Sequence, residues 1–160
     1  MQIQKEKEMA NAAAPIPVNP FRNIGATLAG LVVFILVVVA MEALSSALFA
    51  NVAAGIDYKD PKVMAELVAN TPVEAKLIVI LGYFLGTLAG AYVAARNAAN
   101  NRAWNPYIIG ALFAISSYFN FTQIPHPTWM IISSLVAGAL GIWLGARLGF
   151  AKIRSQGILQ

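Results

Sequence analysis

Three long stretches without any Asp, Glu, Lys or Arg constrain the fold of this 160-residue chain more than any other feature. They cover residues 24–41, 77–95 and 103–146, and they are 18, 19 and 44 residues long. A hydrocarbon core about 30 Å thick takes about 20 helical residues to cross. Because the third stretch is long enough for two crossings, the sequence predicts an all-α integral membrane protein with four transmembrane helices.

The composition excludes several other classes of protein. Apolar residues make up 59% of the chain and charged residues 11%, against about 45–50% and about 25% in soluble domains. Because the chain has no cysteine and a single histidine, we expect no disulfide, no metal site and no cofactor. The net charge is +4, but the basic residues flank the apolar stretches. That pattern is typical of membrane orientation and not of nucleic-acid binding.

The predicted transmembrane domain extends over residues 24–149, between polar tails at residues 1–23 and 150–160. Its four spans cover approximately residues 24–49, 72–96, 106–122 and 127–149. Prolines stand at the starts of the last three spans, in a position where the missing N–H costs nothing. At the start of the second span, Thr71 and Glu74 have the spacing of a reciprocal capping box.

The first outer loop, residues 50–71, contains a short segment with helical periodicity. Asp60-Pro61 opens this segment, and its apolar positions are Val63, Met64, Leu67 and Val68. The spacing predicts a short amphipathic helix, ending at about Ala69, that lies at the membrane surface.

Lysines and arginines are distributed unequally between the two sides of the membrane that four spans would define. Eight of the eleven fall on the side that carries both tails, and they are Lys5, Lys7, Arg22, Arg96, Arg102, Arg147, Lys152 and Arg154. The three on the other side are Lys59, Lys62 and Lys76. The positive-inside rule therefore predicts that both tails are cytoplasmic.

Small residues recur at every fourth position in the second and fourth predicted spans. The second span carries Gly82, Gly86, Gly90 and Ala94, and the fourth carries Ala137, Gly141, Gly145 and Gly149. Such a series forms a groove along one helix face, so that another helix backbone can approach closely. We therefore expect helix packing through these glycines. The pattern leaves open whether the partner is another span of this chain or another protein.

The same two spans also resemble each other. Alignment of residues 86–96 with residues 137–147 superposes the small positions at an offset of 51 residues. It also places Tyr92 on Trp143 and Arg96 on Arg147. A duplicated helical hairpin would explain this likeness, and so would a coincidence between two glycine-rich spans that each end in an arginine.

Four polar side chains fall at the outer ends of the predicted spans, and they are Glu42, Lys76, Asn120 and His126. Glu42 follows Ile24 by 18 residues, which is about 27 Å along a helix and near the outer membrane boundary. One interpretation is a hydrogen-bonded cluster that holds the helix ends together. The other is a proton or ligand site in which Glu42 titrates. Because no nucleophile, metal cluster or phosphate-binding loop accompanies these residues, we predict no catalytic residue.

Several motifs occur together between residues 24 and 149. They are Met41-Glu42-Ala43-Leu44, Asp60-Pro61, residues 86–96, Asn120 with Pro125-His126-Pro127 and Trp129, and residues 144–148. In this combination the chain resembles a group of small four-span bacterial inner-membrane proteins without an assigned activity. The resemblance implies a location in a bacterial cytoplasmic membrane.

Together these features predict a non-catalytic membrane protein that acts by helix packing. It would be an accessory or assembly subunit of a larger inner-membrane complex, or a homo-oligomer. Its partners would be the lipid bilayer and other membrane protein subunits, or a second copy, held through the small-residue helix faces. The alternative is a small proton- or cation-coupled transporter or channel that uses Glu42.

Overall fold

The computed structural model describes residues 20–49, 60–98 and 104–155, together with the isolated positions 2 and 4. The described part of the chain forms five α-helices and contains no strand. In chain order they are α1 (Pro20–Leu48), α2 (Pro61–Asn70), α3 (Val73–Asn97), α4 (Trp104–Gln123) and α5 (Thr128–Ser155). The predicted all-α class is confirmed. Most of the predicted N-terminal tail, residues 50–59 of the outer loop and residues 156–160 lie outside the described residues.

Three of the helices are long and apolar enough to cross a membrane, and they are α1, α3 and the segment Thr128–Ala151 of α5. α4 has 20 residues and contains no Asp, Glu, Lys, Arg or His. It falls outside this group because asparagine, glutamine, serine, threonine and tyrosine side chains lower its hydropathy. The chain is therefore a helical protein with three candidate membrane spans in its described part.

The helix ends differ from the predicted span ends where polar residues continue a helix. α1 begins at Pro20, inside the predicted tail, because proline fits the first helical position. α5 continues to Ser155, beyond the predicted end of the fourth span at residue 149. The predicted ends follow the limits of the apolar stretches. The backbone hydrogen bonding of α5 continues beyond that limit, through the alanine, lysine and arginine residues that follow.

The short helix α2 lies where the sequence predicts an amphipathic helix. Asp60 is its N-cap, and the Asp60 Oδ1 atom accepts a hydrogen bond from the backbone N–H of Lys62 at 2.9 Å. At the other end, the Thr71 hydroxyl donates to the Leu67 carbonyl oxygen at 2.7 Å. The Thr71 side chain is thus engaged with α2, and α3 begins without a side-chain capping bond. The predicted capping box between Thr71 and Glu74 is therefore wrong.

α3 lies at the centre of the helical assembly, with α1 and α5 packed along it and α4 in contact with all three. Glycines form the contact between α1 and α3. A Cβ atom built on Gly30 would lie 2.6 Å from the Gly90 carbonyl oxygen, and one built on Gly82 would lie 2.8 Å from the Met41 Cβ atom. Between them, Gly86 lies against Val38. This order of contacts makes α1 and α3 antiparallel, with backbone meeting backbone at Gly30 and Gly90.

A second set of glycines forms the contact between α5 and a different face of α3. A Cβ atom on Gly141 would lie 2.5 Å from the Phe84 carbonyl oxygen, and one on Gly149 would lie 2.9 Å from the Tyr92 carbonyl oxygen. Gly145 lies between them and also meets the α3 backbone. Because the contacts advance in the same direction along both helices, α3 and α5 are parallel. Both small-residue faces thus meet helices of the same chain.

The apolar core lies where α4 meets the other long helices, and its buried residues are Phe34, Ala94, Ile109 and Phe113. The Phe113 ring is at its centre. This ring lies 6.2 Å from the Phe34 ring and 5.7 Å from the Tyr83 ring, and both pairs have the edge-to-face geometry that aromatic rings prefer. Gly138 of α5 lies directly against the same ring. Phe113 therefore connects α4 to each of the three other long helices.

α4 runs parallel to α1. At the start of both helices, the Asn105 Nδ2 atom donates to the Asn23 carbonyl oxygen at 3.1 Å, and further along Phe113 meets Phe34. The contacts therefore advance together along the two helices. α1 and α4 share one direction, and α3 and α5 share the opposite one.

The likeness between α3 and α5 extends to their arginine–aromatic pairs. The Arg96 guanidinium carbon lies 6.0 Å from the centre of the Tyr92 ring, and that of Arg147 lies 5.4 Å from the centre of the Trp143 ring. The glycines that the alignment superposes have different neighbours, however, because Gly90 faces α1 whereas its counterpart in α5 faces α3. The duplicated hairpin stays a prediction.

Candidate functional site

A cavity of about 200 Å³ lies between α1 and α4, and we call it the α1–α4 groove. Its lining residues are Phe34, Ile35, Val38, Val39 and Glu42 of α1, Tyr83 of α3, and Phe113, Ser116, Ser117 and Asn120 of α4. The walls are mostly apolar. They surround a carboxyl group, an amide and several hydroxyl groups.

Glu42 is the one acidic residue of α1, and its side chain is exposed on the surface of the chain. The helix surface around it is apolar, since Val39 and Leu44 are 55% and 46% exposed. In a bilayer this surface would face lipid or another protein. A carboxyl group in that environment is costly unless a donor or a cation pairs with it.

Asn120 presents a second polar group to the same groove. Its Oδ1 atom is buried and has no hydrogen-bond partner among the described residues. A buried acceptor without a donor costs about 1–3 kcal/mol. Because the ionised Glu42 carboxylate is also an acceptor, a group that complements both residues must donate hydrogen bonds.

A second cavity, of about 220 Å³, lies at the other end of the contact between α1 and α4. Its lining residues are Asn23, Ile24, Thr27, Leu28, Asn105 and Ile108. The rings of Phe34 and Phe113 meet between the two cavities. The contact between α1 and α4 is thus open near both ends and closed in the middle.

A third cavity, of about 90 Å³, lies where the ends of α1 and α2 meet the starts of α3 and α5, and we call it the Lys76 pocket. Its lining residues are Ser45, Val68, Thr71, Ala75, Lys76, Val79, His126 and Met130. The Ser45 hydroxyl donates to the Ala75 carbonyl oxygen at 3.2 Å and so joins α1 to α3. The Lys76 side chain is buried.

The four polar residues singled out by the sequence occupy two different places. Glu42 and Asn120 line the α1–α4 groove, whereas Lys76 and His126 line the Lys76 pocket. None of these three cavities is lined by all four. The division arises on α1. Glu42 faces the groove that α1 forms with α4, whereas Ser45, about one turn later, faces α3.

Two polar residues of α3 lack an evident sequence signal. Tyr83 lines the α1–α4 groove, and Thr87 is fully buried where α5 meets α3, with its hydroxyl directed to the Tyr83 carbonyl oxygen at 2.7 Å. Thr87 lies in the glycine-rich stretch of α3. The glycine spacing therefore identifies α3 as a packing helix, but it does not identify the face of α3 that carries Thr87. Ser134 is also fully buried, and its hydroxyl has no partner among the described residues.

No group of three or more His, Cys, Asp or Glu side chains in the described ranges could hold a metal ion. Comparison of the chain with protein-family models, with curated proteins and with solved structures found no match.

Proposed function

We propose that the chain is a non-catalytic protein of a bacterial inner membrane that binds another transmembrane segment in the α1–α4 groove. In this function it acts as an accessory or assembly subunit of a larger membrane complex. Four membrane spans and cytoplasmic tails belong to the same proposal.

The helix directions support four spans. α3 and α5 are parallel, so a chain that crosses the membrane in both must cross back between them. Within the described residues, α4 is the helix that lies between α3 and α5 in the chain. It lies alongside α1, from the hydrogen bond between Asn105 and Asn23 at one end to the groove shared by Asn120 and Glu42 at the other. With the basic residues on the cytoplasmic side, the groove would lie near the outer boundary.

One observation carries the proposed function: Glu42 and Asn120, whose buried Oδ1 atom has no hydrogen-bond partner among the described residues, line one groove on the surface of the helical assembly. Lipid chains offer no hydrogen-bond donor to the exposed Glu42 carboxyl group. A neighbouring helix with a hydroxyl, amide or basic side chain would supply one. The glycine faces of α3 and α5 are already covered by helices of the same chain, so the groove is the better docking surface.

A proton- or cation-coupled transporter is the second candidate. The observation that favours it is the pair of cavities at the two ends of the contact between α1 and α4, which the rings of Phe34 and Phe113 separate. A transport path along this contact would require those rings to move apart and Glu42 to exchange a proton.

Single cysteines test the proposed docking surface directly, because the natural chain has none. Ser116 lines the groove and is exposed. We expect a Ser116→Cys variant carrying a photoactivatable maleimide to form one adduct of defined mass in native membranes. Gel electrophoresis and mass spectrometry would identify it. An adduct of twice the chain mass would show a second copy in the groove, and any other mass would show a different subunit.

The matched control is Val136→Cys, which places the probe on an exposed position of α5 outside the groove. We expect no discrete adduct from it, and we expect Glu42→Leu to lower the Ser116→Cys adduct yield at least fivefold. Equal labelling from both positions would contradict docking in the groove. Glu42→Gln separates the two candidates, because it should spare the adduct but abolish proton-coupled uptake by a transporter.

A further inference from the structure

Lys76 is a basic residue buried inside the helical assembly. Its side chain is 7% exposed, although it stands in the first turn of α3, at the predicted outer end of the membrane domain. It lines the Lys76 pocket together with apolar side chains from α2, α3 and α5. A buried cation is stable in such a place only if an anion or several acceptors surround it.

The described residues around the Lys76 pocket do not supply that anion. No acidic residue is among the described residues that line it. The nearest carboxyl groups along the chain, Glu66 of α2 and Glu74 of α3, are exposed and not part of the lining. Two helix C-termini and two helix N-termini meet here, so the helix dipoles largely offset one another. Among the described residues that line the pocket, Lys76 therefore sets the sign of the charge.

The polar side chains around the pocket leave Lys76 as the main donor. The hydroxyls of Ser45 and Thr71 donate to backbone carbonyl oxygens, at 3.2 Å and 2.7 Å. The His126 Nδ1 atom lies 2.7 Å from the Ile124 carbonyl oxygen. Because a carbonyl oxygen only accepts, Nδ1 carries the proton of this bond.

We infer that the Lys76 pocket binds a phosphate group, with the Lys76 ammonium as its counter-ion. The phosphate belongs either to a membrane lipid headgroup or to a free anion. The apolar lining from Val68, Val79 and Met130 would contact the glycerol and the first acyl carbons of a lipid. This inference is independent of docking in the α1–α4 groove, since the two sites share no lining residue.

Native mass spectrometry of the full chain in neutral detergent tests this inference. Phosphatidylglycerol is titrated against diacylglycerol with the same acyl chains, which lacks the phosphate. We expect the natural chain to bind phosphatidylglycerol tightly and Lys76→Met to bind it roughly tenfold more weakly, as expected for loss of one charged hydrogen bond. Lys62→Met is the matched control, because Lys62 is exposed on the adjacent helix and its replacement should change nothing.

Two further arms decide the remaining questions. Lys76→Arg keeps the charge and should retain binding, which shows that loss in Lys76→Met does not reflect misfolding. Inorganic phosphate that competes with phosphatidylglycerol at millimolar concentration would identify a free anion as a ligand, and failure to compete would identify the lipid. Equal binding of phosphatidylglycerol by the natural chain and Lys76→Met would overturn the inference, as would equal binding of diacylglycerol. Neither result would affect cross-linking at Ser116.

Discussion

Replacing Gly145 by alanine is expected to destabilise the protein by about 2 kcal/mol or more, whereas the same change at Gly25 is expected to be neutral or stabilising. A Cβ atom on Gly145 would collide with the Leu88 carbonyl oxygen and would lie 3.0 Å from the Tyr92 backbone nitrogen. These are backbone atoms of α3, so α5 must move away as a unit. Overpacking of this kind costs about 1–3 kcal/mol, and more where no side chain can yield.

Gly25 provides a matched control in the same protein. A Cβ atom built on it would meet nothing within 4 Å. Alanine is also the better helix former by about 1 kcal/mol. The measurement is the midpoint of thermal unfolding in a mild detergent, followed as loss of the folded peak in size-exclusion chromatography. Equal midpoints for the two variants would show that α3 and α5 are not in backbone contact at Gly145.

Replacing Phe113 by alanine is the second substitution with a large expected effect. The ring is 4% exposed and contacts Phe34, Tyr83 and Gly138, one residue on each of the other long helices. Loss of a buried aromatic ring costs about 3–5 kcal/mol. Because these contacts hold α4 in place, we expect α4 to loosen before the contacts of α3 with α1 and α5 are lost.

The expected loosening is measured with a cysteine reporter on α4. In the Phe113→Ala background, a cysteine at the buried position Ser117 should react with a small maleimide several-fold faster than in the natural background. Phe119→Ala is the control, since Phe119 is 56% exposed on the same helix and its removal should leave the reaction rate unchanged. An unchanged rate in Phe113→Ala would mean that other contacts anchor α4.

Much of the fold was accessible from the sequence because lipid imposes strong rules. A long uncharged stretch has to satisfy its backbone hydrogen bonds internally, so it forms a helix, and each of α1, α3 and α5 lies where such a stretch predicts it. Asp60-Pro61 also marked the start of α2 correctly. The end of α5 was less accessible, because no rule ends a helix at the membrane boundary while helix-forming residues follow.

The site was less accessible, because it depends on which face each helix turns to its neighbours. The glycine spacing showed that Gly86 and Gly141 would permit close approach, but the spacing is the same whichever helix approaches. Depth along the helices placed Glu42 and Lys76 at one level, although they line different cavities. Residue spacing gives the position along a helix, whereas rotation about the helix axis has to come from packing.

The side of the membrane on which the two chain ends lie tests the four-span arrangement most directly. Single cysteines at Gln4, Ile124 and Ser155 are labelled with a membrane-impermeant maleimide, in intact cells and after permeabilisation. Four spans predict labelling of Ile124→Cys in intact cells, and labelling of Gln4→Cys and Ser155→Cys only after permeabilisation. Three spans, with α4 outside the membrane, would place the two chain ends on opposite sides. Labelling of either chain end alone in intact cells would therefore contradict the four-span arrangement, and with it the position of the α1–α4 groove in the membrane.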